Sequence, residues 1–213
     1  MKAYIFDLDG TLLDSMDIWQ QIDVDFLSKR GLVVPPDYIA IICAYSFPEA
    51  ARYTIEHFGL PDSAEDLMRE WNDMAAHAYG HTVPLKPYVR EYLAALKGRG
   101  AKLAVATGLP AALYEPVLKN NGIMEFFDVV CSTDEVEHGK TRPDVFLLAA
   151  QRLGVLPENC IVFEDLLQAM VSAKQAGMTV YGVYDESAAD QWEQIRRTAH
   201  GVISDFRAAP LPE

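Results

Sequence analysis

Two aspartates one residue apart, Asp7 and Asp9, end the apolar run in "AYIFDLDGTLLDS", residues 3–15. Carboxylates that close repel one another, so a cation, a proton or a reaction must offset them. The chemistry open to such a pair is narrow. One carboxylate can attack an electrophile covalently, as in enzymes that pass through an aspartyl-phosphate. The other, on a separate turn, can act as general acid and then general base. Thr107 and Gly108 follow the apolar run "KLAVA", Glu164 and Asp165 follow "IVF", and Lys140 lies in the polar stretch "HGKTRPDVF". Four carboxylates brought together need a cation. An oxygen-rich site of this kind suits Mg²⁺, which keeps several waters and takes few protein carboxylates plus a substrate phosphate. Lys140 would pair with the nucleophile and the transferring phosphoryl oxygens. Thr107 would donate its hydroxyl, and Gly108 lets its backbone N–H approach an oxygen closely.

These residues share one feature: each carboxylate pair, and Thr107 with Gly108, follows an apolar run that reads as a buried strand. The runs at 2–6, 102–106, 127–130 and 161–163 are nearly all apolar, as strands of a parallel sheet covered on both faces should be. Further strands are expected at 180–183 and around Val202 and Ile203. Helical periodicity fills 88–99, 111–120, 143–153 and 166–176, each closed by or near a glycine. Alternation of strand and helix predicts an α/β fold with a doubly wound parallel sheet, in which ligands bind outside the carboxyl ends of the strands. One interval departs from it. Residues 15–84 carry helical patterns only, at 17–29, 48–58 and 64–78, with turn-like "GLVVPPD" and "GLPDS" between them. The expectation is a core formed by 1–14 and 85–213 and a small all-helical domain at 15–84, inserted through linkers at 13–16 and 82–87.

Composition narrows the partners. The chain has 213 residues, 50% hydrophobic, and a formal charge of -13, enough for a packed core and contrary to a nucleic-acid surface. A small anionic substrate then requires a local positive site or a metal. No apolar stretch reaches the length of a membrane span, and acids interrupt the first ten residues, so a cytoplasmic protein is expected. A monomer is compatible with this composition. Cys43, Cys131 and Cys160 have neither disulfide nor zinc spacing and read as small buried hydrophobes.

The stretches "DLDGTLLDS", "AVATG", "GKTRPDVF" and "VFEDLLQAMVSAKQAGM" together resemble the haloacid dehalogenase superfamily of hydrolases, in the subgroup with a helical cap between the first two core strands. The resemblance covers the whole chain. It implies Asp7 as nucleophile, Asp9 as general acid/base, Thr107, Gly108 and Lys140 as the phosphate-binding group, and Asp7, Asp9, Glu164 and Asp165 at the Mg²⁺ site, Asp9 through its backbone carbonyl. Members that act on haloacids lack the second aspartate, so Asp9 favours phosphate-ester chemistry. The expected function is a Mg²⁺-dependent phosphatase of a small phosphorylated metabolite. Two alternatives stand beside it: a β-phosphoglucomutase-like mutase, and a non-catalytic phosphometabolite-binding protein. Those mutases carry an arginine and a lysine in the cap where this chain has Phe47 and Trp71; Arg52 or Arg69 could substitute.

Leu166, Gly108 and Tyr88 stand where the subgroup often has Ser, Asn or Ser, and Gly; the first suggests a missing hydrogen bond in the acidic loop, the last a stiffer linker. Other polar residues have simpler readings. Asp14 caps a helix or fixes the linker, Asp134, Glu135 and Glu137 form a solvated face, and Asp144 serves a helix dipole or orients Lys140. His57, His77 and His81 lack metal-ligand spacing. Trp19, Tyr45, Phe47, Tyr53 and Trp71 read as cap core, with some of them lining a substrate cavity.

Overall fold

A computed structural model describes residues 2–212. Six parallel strands form one sheet in the order β3-β2-β1-β4-β5-β6, with β1 Ala3–Phe6, β2 Lys102–Thr107, β3 Val129–Ser132, β4 Cys160–Glu164, β5 Thr179–Val183 and β6 Gly201–Ile203. Alternation along β1 explains the double winding: Tyr4 and Phe6 join one core cluster, and Ala3 and Ile5 join the other, on opposite faces of the pleat. Phe6 stacks on Phe163 at 5.0 Å between ring centroids, which locks β1 to β4. Strand order reverses between these two strands, so the crevice for a ligand opens where Asp7 and Glu164 end them.

Among the described residues, nine α-helices surround or extend this sheet. Between β1 and β2 lie α1 Met16–Ser28, α2 Tyr38–Ile42, α3 Phe47–Phe58, α4 Ala64–His81 and α5 Val89–Gly98. The later ones are α6 Ala111–Asn120, α7 Asp144–Leu153, α8 Leu167–Gln175 and α9 Trp192–Thr198. Helices α2 and α9 go beyond the sequence expectation, because five and seven residues fall short of a periodicity window. Strand β3 begins two residues later than expected. Phe127 ends a 3₁₀ turn there, and the Asp128 carboxylate accepts the Leu103 N–H at 2.8 Å.

The chain leaves and re-enters the core through paired segments. Asp14 N–H donates to the Pro84 carbonyl at 3.1 Å, and Lys86 N–H to the Leu12 carbonyl at 2.9 Å. Asp14 therefore fixes the linker through its backbone; its side chain is exposed and Ser15, not Asp14, precedes α1. Tyr88 takes a left-handed φ of 66°, which costs a residue with a Cβ about 1–2 kcal/mol, and its ring receives the Arg207 guanidinium at 4.3 Å.

A second junction seats the helical insert on the core. Ser46 and Glu49 form a capping box at the start of α3, and Glu49 Oε2 also accepts the Gly139 N–H at 2.8 Å, one residue before Lys140. Gly139 is essential to that approach, since a Cβ there would collide with the Ser46 nitrogen. Gly139→Ala is expected to cost about 1–3 kcal/mol and to lower the thermal midpoint. Gly108→Ala, where a Cβ meets nothing within 4 Å, should change stability by no more than about 0.5 kcal/mol. Thermal unfolding of both variants against wild type checks the pair.

Candidate active site

At the carboxyl ends of β1 and β4, four ionisable side chains are buried together: Asp7, Lys140, Glu164 and Asp165. Lys140 Nζ is paired with Asp7 Oδ1 and lies 2.6 Å from Glu164 Oε1. Glu164 Oε2 accepts the backbone N–H of Asp165 at 2.8 Å and of Leu166 at 3.3 Å. The acidic loop is thus tied by Glu164 itself, so Leu166 leaves no gap in its support. Thr11 Oγ1 donates to Asp165 Oδ1 at 3.1 Å, a contact the sequence reading did not find.

The electrostatics of the cluster are unbalanced: three carboxylates face one ammonium in a dry place. Burial, and then the charge of Glu164, push the Asp7 carboxyl upward against the opposing pull of Lys140. Burial, Glu164 and Asp7 likewise push Asp165 well above the usual carboxylate range. Burial alone would lower Lys140, but Asp7 and Glu164 outweigh it and hold the ammonium charged beyond its ordinary range. The cluster is short of one cation.

The geometry has room for it. Oxygens of Asp7, Glu164 and Asp165 lie within 4.8 Å of one another. Asp165 Oδ2 is buried and has no hydrogen-bond partner among the described residues. Gly10, at φ +72°, keeps the space beside that atom clear, because a Cβ would overlap the Asp165 carboxylate. An orphaned carboxylate oxygen in a cradle that only glycine permits fits a hard divalent cation. Both Glu164 oxygens already hold protein donors, so Asp7 and Asp165 are the freer ligands.

Asp9 stands apart from that group and faces the helical insert. Its carboxylate accepts from Ser15 Oγ at 2.5 Å, from Trp19 Nε1 at 3.2 Å and from the Tyr79 hydroxyl. Burial raises the Asp9 carboxyl, and these three donors oppose the rise. Trp19, read from sequence as cap core, reaches Asp9 directly. Ser15 and Tyr79 were not foreseen as site residues; Ser15 lies six positions after Asp9 within the opening motif, whereas Tyr79 is distant in sequence and nothing local marks it.

Thr107 is buried and its hydroxyl oxygen accepts the Leu109 N–H at 3.0 Å, which leaves its proton free to serve another acceptor. Gly108 lines the cavity between core and insert together with Asp7, Asp9, Lys140 and Asp165. From the insert come Met16, Trp19, Asp23, Ile42, Cys43, Tyr45, Phe47, Ala50 and Trp71. Cys131 and Cys160 are buried in the core, as expected, while half-buried Cys43 forms part of the cavity wall. Asp144 pairs with His138 at 3.1 Å in the first turn of α7 and does not contact Lys140. Asp134, Glu135 and Glu137 are exposed, as are His57, His77 and His81. Arg52 is exposed, and Arg69 is exposed and bound to Asp66; neither lines the cavity.

Residues 4–183 match the model of the haloacid dehalogenase-like hydrolases. The chain belongs to this family. Among curated haloacid dehalogenase-like relatives, a phosphorylated carbohydrates phosphatase of Thermotoga maritima is 30% identical over 184 residues, covering 86% of this chain and 85% of the relative. A fructose-1-phosphate phosphatase of Escherichia coli is 34% identical, covering 84% and 94%. The fold matches that of a β-phosphoglucomutase from Clostridium difficile with a TM-score of 0.85, 21% identity, and coverage of 99% and 93%. At that identity the likeness concerns the fold. Among the described residues of this family member, no helix is long and apolar enough to cross a membrane.

Asp23 differs from the other acids of the cavity in having no partner. It is buried, it makes no hydrogen bond to a described residue, and burial pushes its carboxyl up to about 7. A carboxyl raised in the folded state holds its proton while the unfolded chain has lost it, so stability falls as pH rises from about 4 to about 7 and stays low above that. Asp23→Asn removes this dependence. The gap in thermal midpoint between Asp23→Asn and wild type should widen by several degrees from pH 5 to pH 8, and a gap that is constant or narrows would contradict the reading.

Proposed function

We propose that the protein is a Mg²⁺-dependent phosphatase of a small phosphorylated metabolite and works through an aspartyl-phosphate on Asp7. That it is a phosphoric monoester hydrolase follows from its family and its phosphatase relatives. The observation that carries the assignment of residues is the buried Asp7–Lys140–Glu164 ion pair set beside an unpartnered Asp165 oxygen.

Asp7 attacks phosphorus with the oxygen that points away from Lys140, and the ammonium of Lys140 neutralises charge on the transferring phosphoryl group. The Thr107 hydroxyl and the Gly108 N–H receive the phosphoryl oxygens. Asp9, held by Ser15, Trp19 and Tyr79 on the cap side, gives a proton to the leaving oxygen and then takes one from the water that hydrolyses the acyl phosphate. Mg²⁺, held by Asp7, Asp165 and the Asp9 carbonyl with Glu164 behind them, would supply charge that orients the phosphate and offsets the carboxylates. Glu164 fixes Lys140 and the turn that carries Asp165. We take 1–14 with 85–213 as the catalytic core and 15–84 as a cap that excludes water when seated. A cytoplasmic location completes the proposal.

The mutase reading needs a cap cation for a second phosphate. Phe47 and Trp71 occupy the cavity wall, and Arg52 and Arg69 lie outside it, which favours hydrolysis. Non-catalytic binding is disfavoured by an intact set of nucleophile, acid/base and ammonium.

Asp7→Asn should lower turnover of a phosphate monoester by about 10³-fold or more, and full activity in that variant would refute the nucleophile. Removing divalent cations with a chelator should abolish phosphate release and added Mg²⁺ should restore it; activity indifferent to both treatments would refute the metal requirement.

A further inference from the structure

The cavity wall built by helices between β1 and β2 carries a charge that the phosphoryl chemistry does not use. Met16, Trp19 and Asp23 share one face of α1 at helical spacing, and all three line the cavity. Asp23 is the one carboxylate that the described residues of these helices contribute there. It is 4% exposed and makes no hydrogen bond to a described residue, and burial pushes its carboxyl up to about 7. The rest of this wall is largely aromatic. Trp19 meets Phe47 edge to face at 6.0 Å, Phe47 meets Trp71 in the same way at 5.6 Å, and Tyr45 lines the same space. Among the described residues lining the cavity Lys140 alone is basic, and its ammonium is already held by Asp7 and Glu164.

The approach to the cavity has the same sign. A groove between α1, α2 and the loop after β5 adjoins it at Met16, Cys43 and Leu166, which line both. Asp14, Asp17, Asp185, Glu186 and Asp190 line this groove, and the basic residue described among them, Lys86, is bound to Asp185 at 2.7 Å. A cleft lined by one sign of charge concentrates the opposite sign.

Together these features describe the group that the wall would receive. An ammonium offsets a buried carboxylate, and aromatic faces attract it where water is excluded. A neutral alcohol would leave the Asp23 charge uncompensated, and an anionic one would meet it with like charge. The cavity has about 100 Å³ of free space, which at about 10–15 Å³ for each water-sized group suits a two- or three-carbon alcohol beside the phosphoryl group.

We propose that Asp23 binds an ammonium group: the substrate is a phosphate monoester of a small amino alcohol, its phosphate at Lys140 and its ammonium against the Asp23 carboxylate and the aromatic wall of Trp19, Phe47 and Trp71. This rests on the phosphatase reading above and names its substrate class. Selection is by charge at the end of the substrate remote from phosphorus, where an ammonium is accepted and a carboxylate rejected.

Three esters of similar size and different charge test it: 2-aminoethyl phosphate, propyl phosphate and 2-phosphoglycolate, which end in an ammonium, a methyl and a carboxylate. Each is assayed on the full chain at pH 8 with Mg²⁺, beside a hexitol phosphate and 4-nitrophenyl phosphate. Wild type should show kcat/KM for 2-aminoethyl phosphate about tenfold or more above that for propyl phosphate, with 2-phosphoglycolate the lowest of the three. Asp23→Asn, which keeps the shape and removes the charge, should lower the ratio of kcat/KM for 2-aminoethyl over propyl phosphate by about tenfold, chiefly through KM. Asp23→Glu, which restores the charge, should keep most of the ratio. A purely structural Asp23 would alter both esters alike. The wild-type order decides by itself if the variants do not fold. A wild type that hydrolyses propyl phosphate, 2-phosphoglycolate or the hexitol phosphate as well as 2-aminoethyl phosphate, or a ratio that survives Asp23→Asn, overturns the proposal, while turnover of 4-nitrophenyl phosphate keeps the phosphatase reading. If no ester is hydrolysed, that reading fails and this inference falls with it.

Discussion

The contact of the Lys140 ammonium with Asp7 and Glu164, all three side chains buried, is the constraint on which the rest of the structure depends. Removing one partner from such a cluster leaves uncompensated charge in a dry place. The fold therefore has to bring three distant segments to one point with little tolerance. Adjacent strands β1 and β4 deliver Asp7 and Glu164 in register, Phe6 opposite Phe163. Lys140 arrives from the loop before α7, where Ser172 Oγ donates to its backbone carbonyl at 2.8 Å. Gly139 and Glu49 fasten the same loop to α3. Placement of α3 and placement of the ammonium are consequently parts of one arrangement.

The two sides of the cavity divide the work by polarity. In the proposed reaction the sheet side supplies charge and hydrogen-bond donors to the phosphoryl group, whereas the side lined by helices between β1 and β2 is mostly apolar, broken by Asp23 and the three groups that hold Asp9. The Asp9 carboxylate takes its donors from Ser15, Trp19 and Tyr79, so residues of the helical segment between β1 and β2 set its orientation. In the proposed mechanism this couples proton transfer at Asp9 to exclusion of water.

Much of this was legible in the sequence because strand ends are. Short apolar runs ending in carboxylates mark both the strands and the sheet edge, so Asp7, Asp9, Thr107, Glu164 and Asp165 could be grouped before any geometry was known. Contacts that depend on tertiary placement were not legible. Tyr79 lies on a helix with no local sign of its bond to Asp9, and Thr11 resembles any turn threonine until Asp165 is brought against it. Asp23 carries no local signal in the sequence; its isolation appears only when α1 is packed against the cavity. Short helices α2 and α9 escaped for want of length, and β3 shifted because Asp128 is used as a side-chain acceptor for β2.

The central claim is that three buried carboxylates with one ammonium form a cluster that lacks a cation, with Asp165 as the waiting ligand. Thermal unfolding of wild type and Asp165→Asn with and without millimolar Mg²⁺, at constant ionic strength, tests it without reference to turnover. The account predicts that Mg²⁺ raises the midpoint of wild type by several degrees and that Asp165→Asn loses that rise while being the more stable protein in the absence of metal. No shift in wild type, or an equal shift in both proteins, would contradict it.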